Sequence, residues 1–134
     1  MPKFLKFSKK RREKFAFSPS PPIALRVNQI LKEYQLSYIN PDRIFCVEST
    51  GSKSRAYARC WGLSRIWQDA LGVKAAYILE VTHQFFKLNG RQQDEVLIHE
   101  LAHIPKNFSG ALVGHYGIEK RMREMAKRIN TNVK

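Results

Sequence analysis

The chain has no long apolar run and few cysteines. Its longest uninterrupted apolar run, Ala75–Leu79, is five residues long, whereas a membrane-spanning helix needs about 20. A short apolar stretch over residues 15–17 follows the basic N-terminal residues but ends before Pro19, so no secretory signal is expected. Two cysteines, Cys46 and Cys60, are too few for a disulfide scaffold. We therefore expect a cytoplasmic protein without a membrane partner.

Acidic residues are also scarce. The chain has 24 Lys and Arg against 11 Asp and Glu, which gives a net charge of +13. Residues 1–20 contribute +6 of this charge and residues 117–134 contribute +4. Such basic ends attract polyanions, so DNA or RNA is an expected partner. A solvated basic surface without a partner explains the same charges equally well, and the composition says nothing about oligomeric state.

The chain divides into a basic arm and one folded region. We expect residues 1–20 to form a flexible arm that ends in a Pro- and Ser-rich stretch, and residues 21–134 to form the domain. Apolar residues at helical spacing predict a first helix from about Pro22. The short β-branched and alternating segments that follow predict two strands joined as a hairpin and then a third strand, over residues 43–48, 55–61 and 76–81. Residues 64–71 are compatible with either a strand extension or a short helix.

The second half of the chain is helical. Asn89 and Gln92 form a capping-box pattern, and Pro105 stops the helix that begins there. A Gly-containing loop over residues 105–114 leads to a last helix over about residues 118–129. The order of one helix, three strands and two helices predicts a small α+β fold in a single domain.

The strongest chemical signal is the run His99-Glu100-Leu101-Ala102-His103. On a helix, His99 and His103 lie on one face about one turn apart, so both imidazoles can reach one metal ion. Glu100 is rotated by about 100° from His99, which places its carboxylate beside a zinc-activated water rather than on the metal. Imidazole is a good ligand for Zn²⁺, and a catalytic zinc site has three protein ligands and an open position. The pattern predicts a zinc hydrolase with Glu100 as general base.

A third ligand is expected after the loop. His115 is the favoured residue, because the loop returns it to the helix first and Gly114 and Gly117 allow close backbone approach. Glu119, four residues further on, is the alternative. These two possibilities stay open at this point.

Together, these segments resemble a small archaeal and phage family of zinc metallopeptidases. The residues that carry the resemblance are Ala58-Arg59-Cys60-Trp61-Gly62-Leu63, the strand Tyr77–Val81, the segment Leu97–Lys106 and Phe108-Ser109-Gly110. More distantly, the sequence is similar to SprT/Spartan-type proteases, whose ligand pattern matches His99, His103 and the later Gly114-His115 pair. Minimal archaeal gluzincins, which it also resembles, use a glutamate as third ligand. The resemblance implies a zincin-like domain.

The resemblance also implies a substrate site. An extended peptide would pair with the edge of the third strand, residues Tyr77, Ile78, Leu79, Glu80 and Val81. The resulting hypothesis is a zinc-dependent metallopeptidase that cleaves peptides or proteins. The alternative is a basic nucleic-acid-binding protein whose zinc site is structural or inactive. A further hypothesis is that the arm over residues 1–20 lies over the cleft and keeps the enzyme latent.

Overall fold

A computed structural model describes residues 15–133 of the chain. In this part of the chain the strands are β1 (Ala16–Pro19), β2 (Ile44–Thr50), β3 (Ala58–Gly62) and β4 (Tyr77–Val81). The α-helices are α1 (Pro21–Glu33), α2 (Arg65–Leu71), α3 (Gly90–Leu101) and α4 (Ile118–Val133). Single 3₁₀ turns lie at Pro41–Arg43, Phe85–Lys87 and His115–Gly117. The predicted small α+β domain is confirmed, and the ambiguous segment over residues 64–71 is helical.

The sheet has the strand order β1-β2-β4-β3. β2 pairs with β4 in parallel, and the other two pairs are antiparallel. The expected hairpin of β2 with β3 is therefore wrong, because β4 lies between these two strands. Four of the five β4 side chains are buried, and a strand this apolar is stable in the interior of a sheet rather than at its edge.

The first strand lies within the segment that the sequence predicted to be a flexible arm. Residues 16–19 pair with residues 47–50 of β2, so the sheet has four strands instead of the expected three. The alternation over residues 15–18 is too short to separate a strand from a tail by sequence alone. Pro19 is compatible with this position, because an edge strand tolerates a residue that lacks an N–H. The rest of the predicted arm, residues 1–14, lies outside the described residues.

The core lies between the helices and one face of the sheet. Its buried side chains are contributed mainly by α1 (Ile23, Val27, Ile30, Leu31), β4 (Tyr77, Leu79, Val81) and α3 (Leu97, Ile98, Leu101). Arg26 joins α1 to α3, with a hydrogen bond to Gln93 at 2.6 Å and an ion pair to Asp94. The opposite sheet face leaves several large apolar side chains half exposed. None of the described helices has the length and apolar composition of a membrane span.

The start and end of α3 are defined locally. The side chain of Asn89 accepts a hydrogen bond from the Gln92 N–H at 2.8 Å, and the Gln92 side chain accepts one from the Asn89 N–H at 3.1 Å. This is the predicted capping box. At the other end the helix tightens, because the N–H groups of His103 and Ile104 bond three residues back to Glu100 and Leu101. His103 therefore lies in the turn that follows the helix.

Two glycines allow the loop after α3 to pass against the end of β3. A Cβ atom on Gly62 would lie 2.1 Å from the carbonyl oxygen of Gly110. Gly110 has φ +94°, and its own Cβ would lie 2.2 Å from the carbonyl oxygen of Leu63. No flexible side chain can relieve these contacts, because the opposing atoms belong to the backbone. The loop approaches the sheet this closely only because both positions are glycine.

We predict that Gly62→Ala lowers the free energy of unfolding by about 2–3 kcal/mol, because two backbone segments must separate to admit one methyl group. Urea denaturation measures this change. Gly90→Ala is the matched control, since nothing lies within 4 Å of a Cβ at that position. The control should be neutral or more stable by up to about 1 kcal/mol. Equal stability of the two variants would contradict the close contact.

Candidate metal centre

The structure brings three histidines together. His99 comes from α3, His103 from the turn after it, and His115 from the 3₁₀ turn that precedes α4. One ring nitrogen from each lies within 4.8 Å of the other two. The ring centroids are 5.2 Å apart for His99 and His103, 5.4 Å for His99 and His115, and 4.8 Å for His103 and His115. Three imidazoles therefore face one small volume.

The orientation of His103 is determined by the loop that follows it. Its Nδ1 atom lies 2.6 Å from the carbonyl oxygen of Val113, and the Val113 N–H donates to the His103 carbonyl at 2.7 Å. Because a carbonyl oxygen only accepts, Nδ1 carries the proton and Nε2 is left with a free lone pair. A backbone partner of this kind fixes the tautomer of a metal-ligating histidine.

Tyr77 and Gln68 hold the same loop from the other side. The Tyr77 hydroxyl accepts the Gly110 N–H and donates to the Ala111 carbonyl, both at 2.8 Å. Gln68 of α2 donates to the carbonyl oxygen of Ser109 at 2.8 Å. Sequence reasoning missed both contributions. No local pattern indicates them, since 33 and 41 residues separate the partners.

The alternative ligand, Glu119, does not join the histidine group. Glu119 is in the first turn of α4 with an exposed side chain, and it is absent from the histidine group formed by the described residues. The fourth histidine, His83, is also exposed and separate from the group. The geometry therefore groups His115 with the His99 and His103 pair.

Glu100 projects beside the histidines toward β3. Burial raises the pKa of its carboxyl group to about 7, although a hydrogen bond from the backbone N–H of Cys60 opposes this rise. Burial also raises the pKa of the Cys60 thiol to about 12, with a smaller contribution from Glu100. The pKa of His99 is lowered by burial and by the neighbouring rings of His103 and His115. Neutral imidazole, the form that binds metal, is thereby favoured at His99.

Two open clefts meet at Glu100. One has a volume of about 500 Å³ and is bordered by Tyr57, Val96 and His99. The other, of about 470 Å³, is bordered by Trp61, His103 and His115. Both clefts follow β3, since Ala58 lines each of them. The histidine group is therefore open to solvent along a groove that an extended chain could occupy.

The strand beside this groove is β3, and the prediction that residues Tyr77–Val81 form the edge is wrong. β4 has a neighbour on each side, so its backbone groups are used within the sheet. The bonds from Leu63 N–H to Ala76 and from Thr82 N–H to Tyr57 set the register of β3. In an antiparallel pair, every second residue directs its N–H and C=O groups to the neighbouring strand. Ala58 and Cys60 are the intervening residues, so their N–H and C=O groups point away from β4, toward the free edge.

The donor set fits a divalent transition metal. Three imidazoles suit Zn²⁺, whose bonds to histidine nitrogen are about 2.0–2.1 Å long. Separations within 4.8 Å let one ion reach all three rings after small side-chain shifts. Three protein ligands leave a coordination position free, as in catalytic zinc sites. Glu100 lines both clefts together with the histidines, so its carboxylate lies beside the group that would hold the ion.

Comparison with known families gives one match. A family described as "Putative phage metallopeptidase" matches residues 15–134, which include every residue of the site. No curated protein and no solved structure is significantly similar to the chain. The match supports metallopeptidase activity, a metal ion at the histidine group and peptide or protein substrates.

We predict that Glu100→Gln stabilises the metal-free protein increasingly as pH rises. The carboxyl pKa is about 7 in the folded chain against an ordinary 4.5, so unfolding releases a proton between these values and wild-type stability falls. Relative to the variant, the wild type should lose about 2–3 kcal/mol between about pH 5 and pH 8. Urea denaturation in the presence of a chelator measures the difference. The lowered pKa of His99 also makes stability depend on pH, but this contribution is present in both proteins and cancels. A difference independent of pH would show that the Glu100 pKa is ordinary.

Proposed function

The chain belongs to the phage metallopeptidase family, and on that premise we propose that it is a zinc-dependent peptidase. His99, His103 and His115 are the proposed metal ligands, and Glu100 is the proposed general base. The observation that carries the proposal is the convergence of three imidazole nitrogens within 4.8 Å, next to a carboxyl group at an open groove. The sequence run from His99 to His103 supports it independently.

The chain's own residues supply binding and proton transfer. A bound zinc ion would polarise the scissile carbonyl group and lower the pKa of a nearby water to about 7. Glu100 takes a proton from that water as the water oxygen attacks the carbonyl carbon. Glu100 then gives the proton to the leaving amine as the C–N bond breaks. The Cys60 N–H orients the carboxylate. The half-buried position of Glu100 limits its hydration and raises its carboxyl pKa to about 7.

We infer that the substrate is an extended polypeptide bound along β3. The outward N–H and C=O groups of Ala58 and the outward C=O group of Cys60 offer backbone hydrogen bonds to such a chain, whereas the Cys60 N–H is used by Glu100. Backbone pairing is independent of side-chain identity, so it supports binding of many sequences. Specificity would then come from the clefts on each side of Glu100.

We predict one zinc ion per chain in protein purified without a metal-binding tag and supplied with zinc. Mass spectrometry should find that His115→Ala loses the ion, because two ligands remain, whereas Glu119→Ala keeps it. Glu100→Gln should also keep the ion but cleave casein at least about 100-fold more slowly, since it removes only the base. Zinc lost with Glu119→Ala and kept with His115→Ala would overturn the ligand assignment. A Glu100→Gln variant with full activity would overturn the mechanism.

We predict that β3 reads the substrate backbone with a period of two. In a peptide that the enzyme cleaves, N-methylation removes one N–H at a time, and every second removal should slow cleavage by about tenfold or more, because only alternate N–H groups face β3. Liquid chromatography of the products gives the rates. Methylation at the intervening positions is the internal control. Equal effects at all positions would contradict strand pairing while leaving the zinc assignment intact.

A further inference from the structure

A slot lies on the sheet face opposite the core. Its volume is about 460 Å³, and it is lined by Phe17, Val47, Trp61, Ile78 and Glu80. Strand pairing places these side chains on one face, with Val47 opposite Glu80 and Ile78 opposite Trp61. The size is that of a pocket for a small ligand. Trp61 also borders the cleft beside His103 and His115, but the proposed peptidase mechanism uses none of the other four lining residues.

Glu80 brings a buried carboxylate to this otherwise apolar slot. It is only 2% exposed, and the indole Nε1–H of Trp61 donates to it at 2.9 Å. No cation within residues 15–133 forms an ion pair with it, since its cross-strand neighbour Arg59 bonds to the Ser54 hydroxyl instead. A buried charge without a counter-ion is costly. A cation in the slot would therefore gain binding free energy from Glu80.

The walls of the slot suit an organic cation. Phe17 and Trp61 are 58% and 50% exposed, so parts of their rings are available to a ligand. Aromatic faces attract ammonium and guanidinium groups, and Val47 and Ile78 offer apolar contact to attached alkyl carbons. A bare metal ion fits less well, because only one carboxylate lines the slot.

We propose that this slot binds an alkylammonium group, the class that includes the lysine side chain and methylated amines. Glu80 supplies the counter-charge, Phe17 and Trp61 supply the aromatic walls, and Val47 and Ile78 contact the alkyl part. The inference concerns a second site and stands independently of the peptidase activity.

Trp61 fluorescence tests the proposal in the full chain. Trp67→Phe leaves Trp61 as the sole tryptophan, since the chain has two. Trp67 itself is 57% exposed on α2, so its replacement should leave the fold intact. Tetramethylammonium chloride is titrated at constant ionic strength, which keeps the effect of the +13 net charge constant. We expect a saturable change in emission. Tert-butanol, which is uncharged and similar in shape, should give none.

Glu80→Gln is the decisive variant. The amide oxygen can still accept the Trp61 hydrogen bond, so the variant removes the charge and keeps the shape. We expect tetramethylammonium affinity to fall by at least about tenfold, and Phe17→Leu to weaken it by about threefold or more. Thermal unfolding confirms that each variant is folded. No saturable change in the wild type, or equal affinity in folded Glu80→Gln, would overturn the proposal.

Two further probes distinguish the source of the cation. N-acetyl-lysine methylamide presents a lysine side chain as it occurs in a polypeptide, and its Nε-acetylated form is the uncharged control. Binding of the charged form alone identifies a polypeptide lysine as the ligand. Binding of tetramethylammonium without either lysine probe identifies a small methylated amine. Equal binding of the charged and acetylated forms would contradict recognition by charge.

Discussion

The paired hydrogen bonds between His103 and Val113 determine the geometry of the site. They bind the loop that follows α3 to the end of that helix, through the backbone in one direction and through the imidazole in the other. One interaction therefore orients the second histidine and also places the third, which follows two residues after Val113. Without these two bonds, His99 and His103 would remain a pair at the end of α3, and His115 would not be held beside them.

The closure of the loop depends on the sheet as well. The Tyr77 hydroxyl binds two backbone groups of the loop, and the contact of Gly62 with Gly110 lets the loop lie against the end of β3. Glu100 faces the same strand and is half buried by it, which is why its carboxyl pKa rises to about 7. The loop thus orients His103, whereas β3 contacts Glu100, and the loop and β3 meet at Gly62 and Gly110.

The parts of the fold that follow from local signals could be predicted from the sequence. The capping box at Asn89 and the spacing of His99 and His103 lie within one helix and its end, so pattern alone identifies them. Strand order could not be predicted, because nothing in residues 44–50 indicates that β4 rather than β3 is their neighbour. The error moved the expected peptide edge from β3 to β4. Placing Tyr77 at an edge also hides its role, because its hydroxyl binds the loop only when β4 is an internal strand whose Tyr77 side chain faces the core.

Because β3 lies at the edge of the sheet, it can open locally while the histidine group stays assembled. A strand bonded along one side has fewer ladder bonds than an internal strand, so it opens at lower free energy. All three histidines lie after residue 98 and none is on β3. Fraying of β3 would remove the partner of Glu100 and leave the imidazoles assembled. Amide hydrogen exchange at Arg59 and Trp61, whose N–H groups face β4, can therefore report an opening of β3 that metal analysis would not detect.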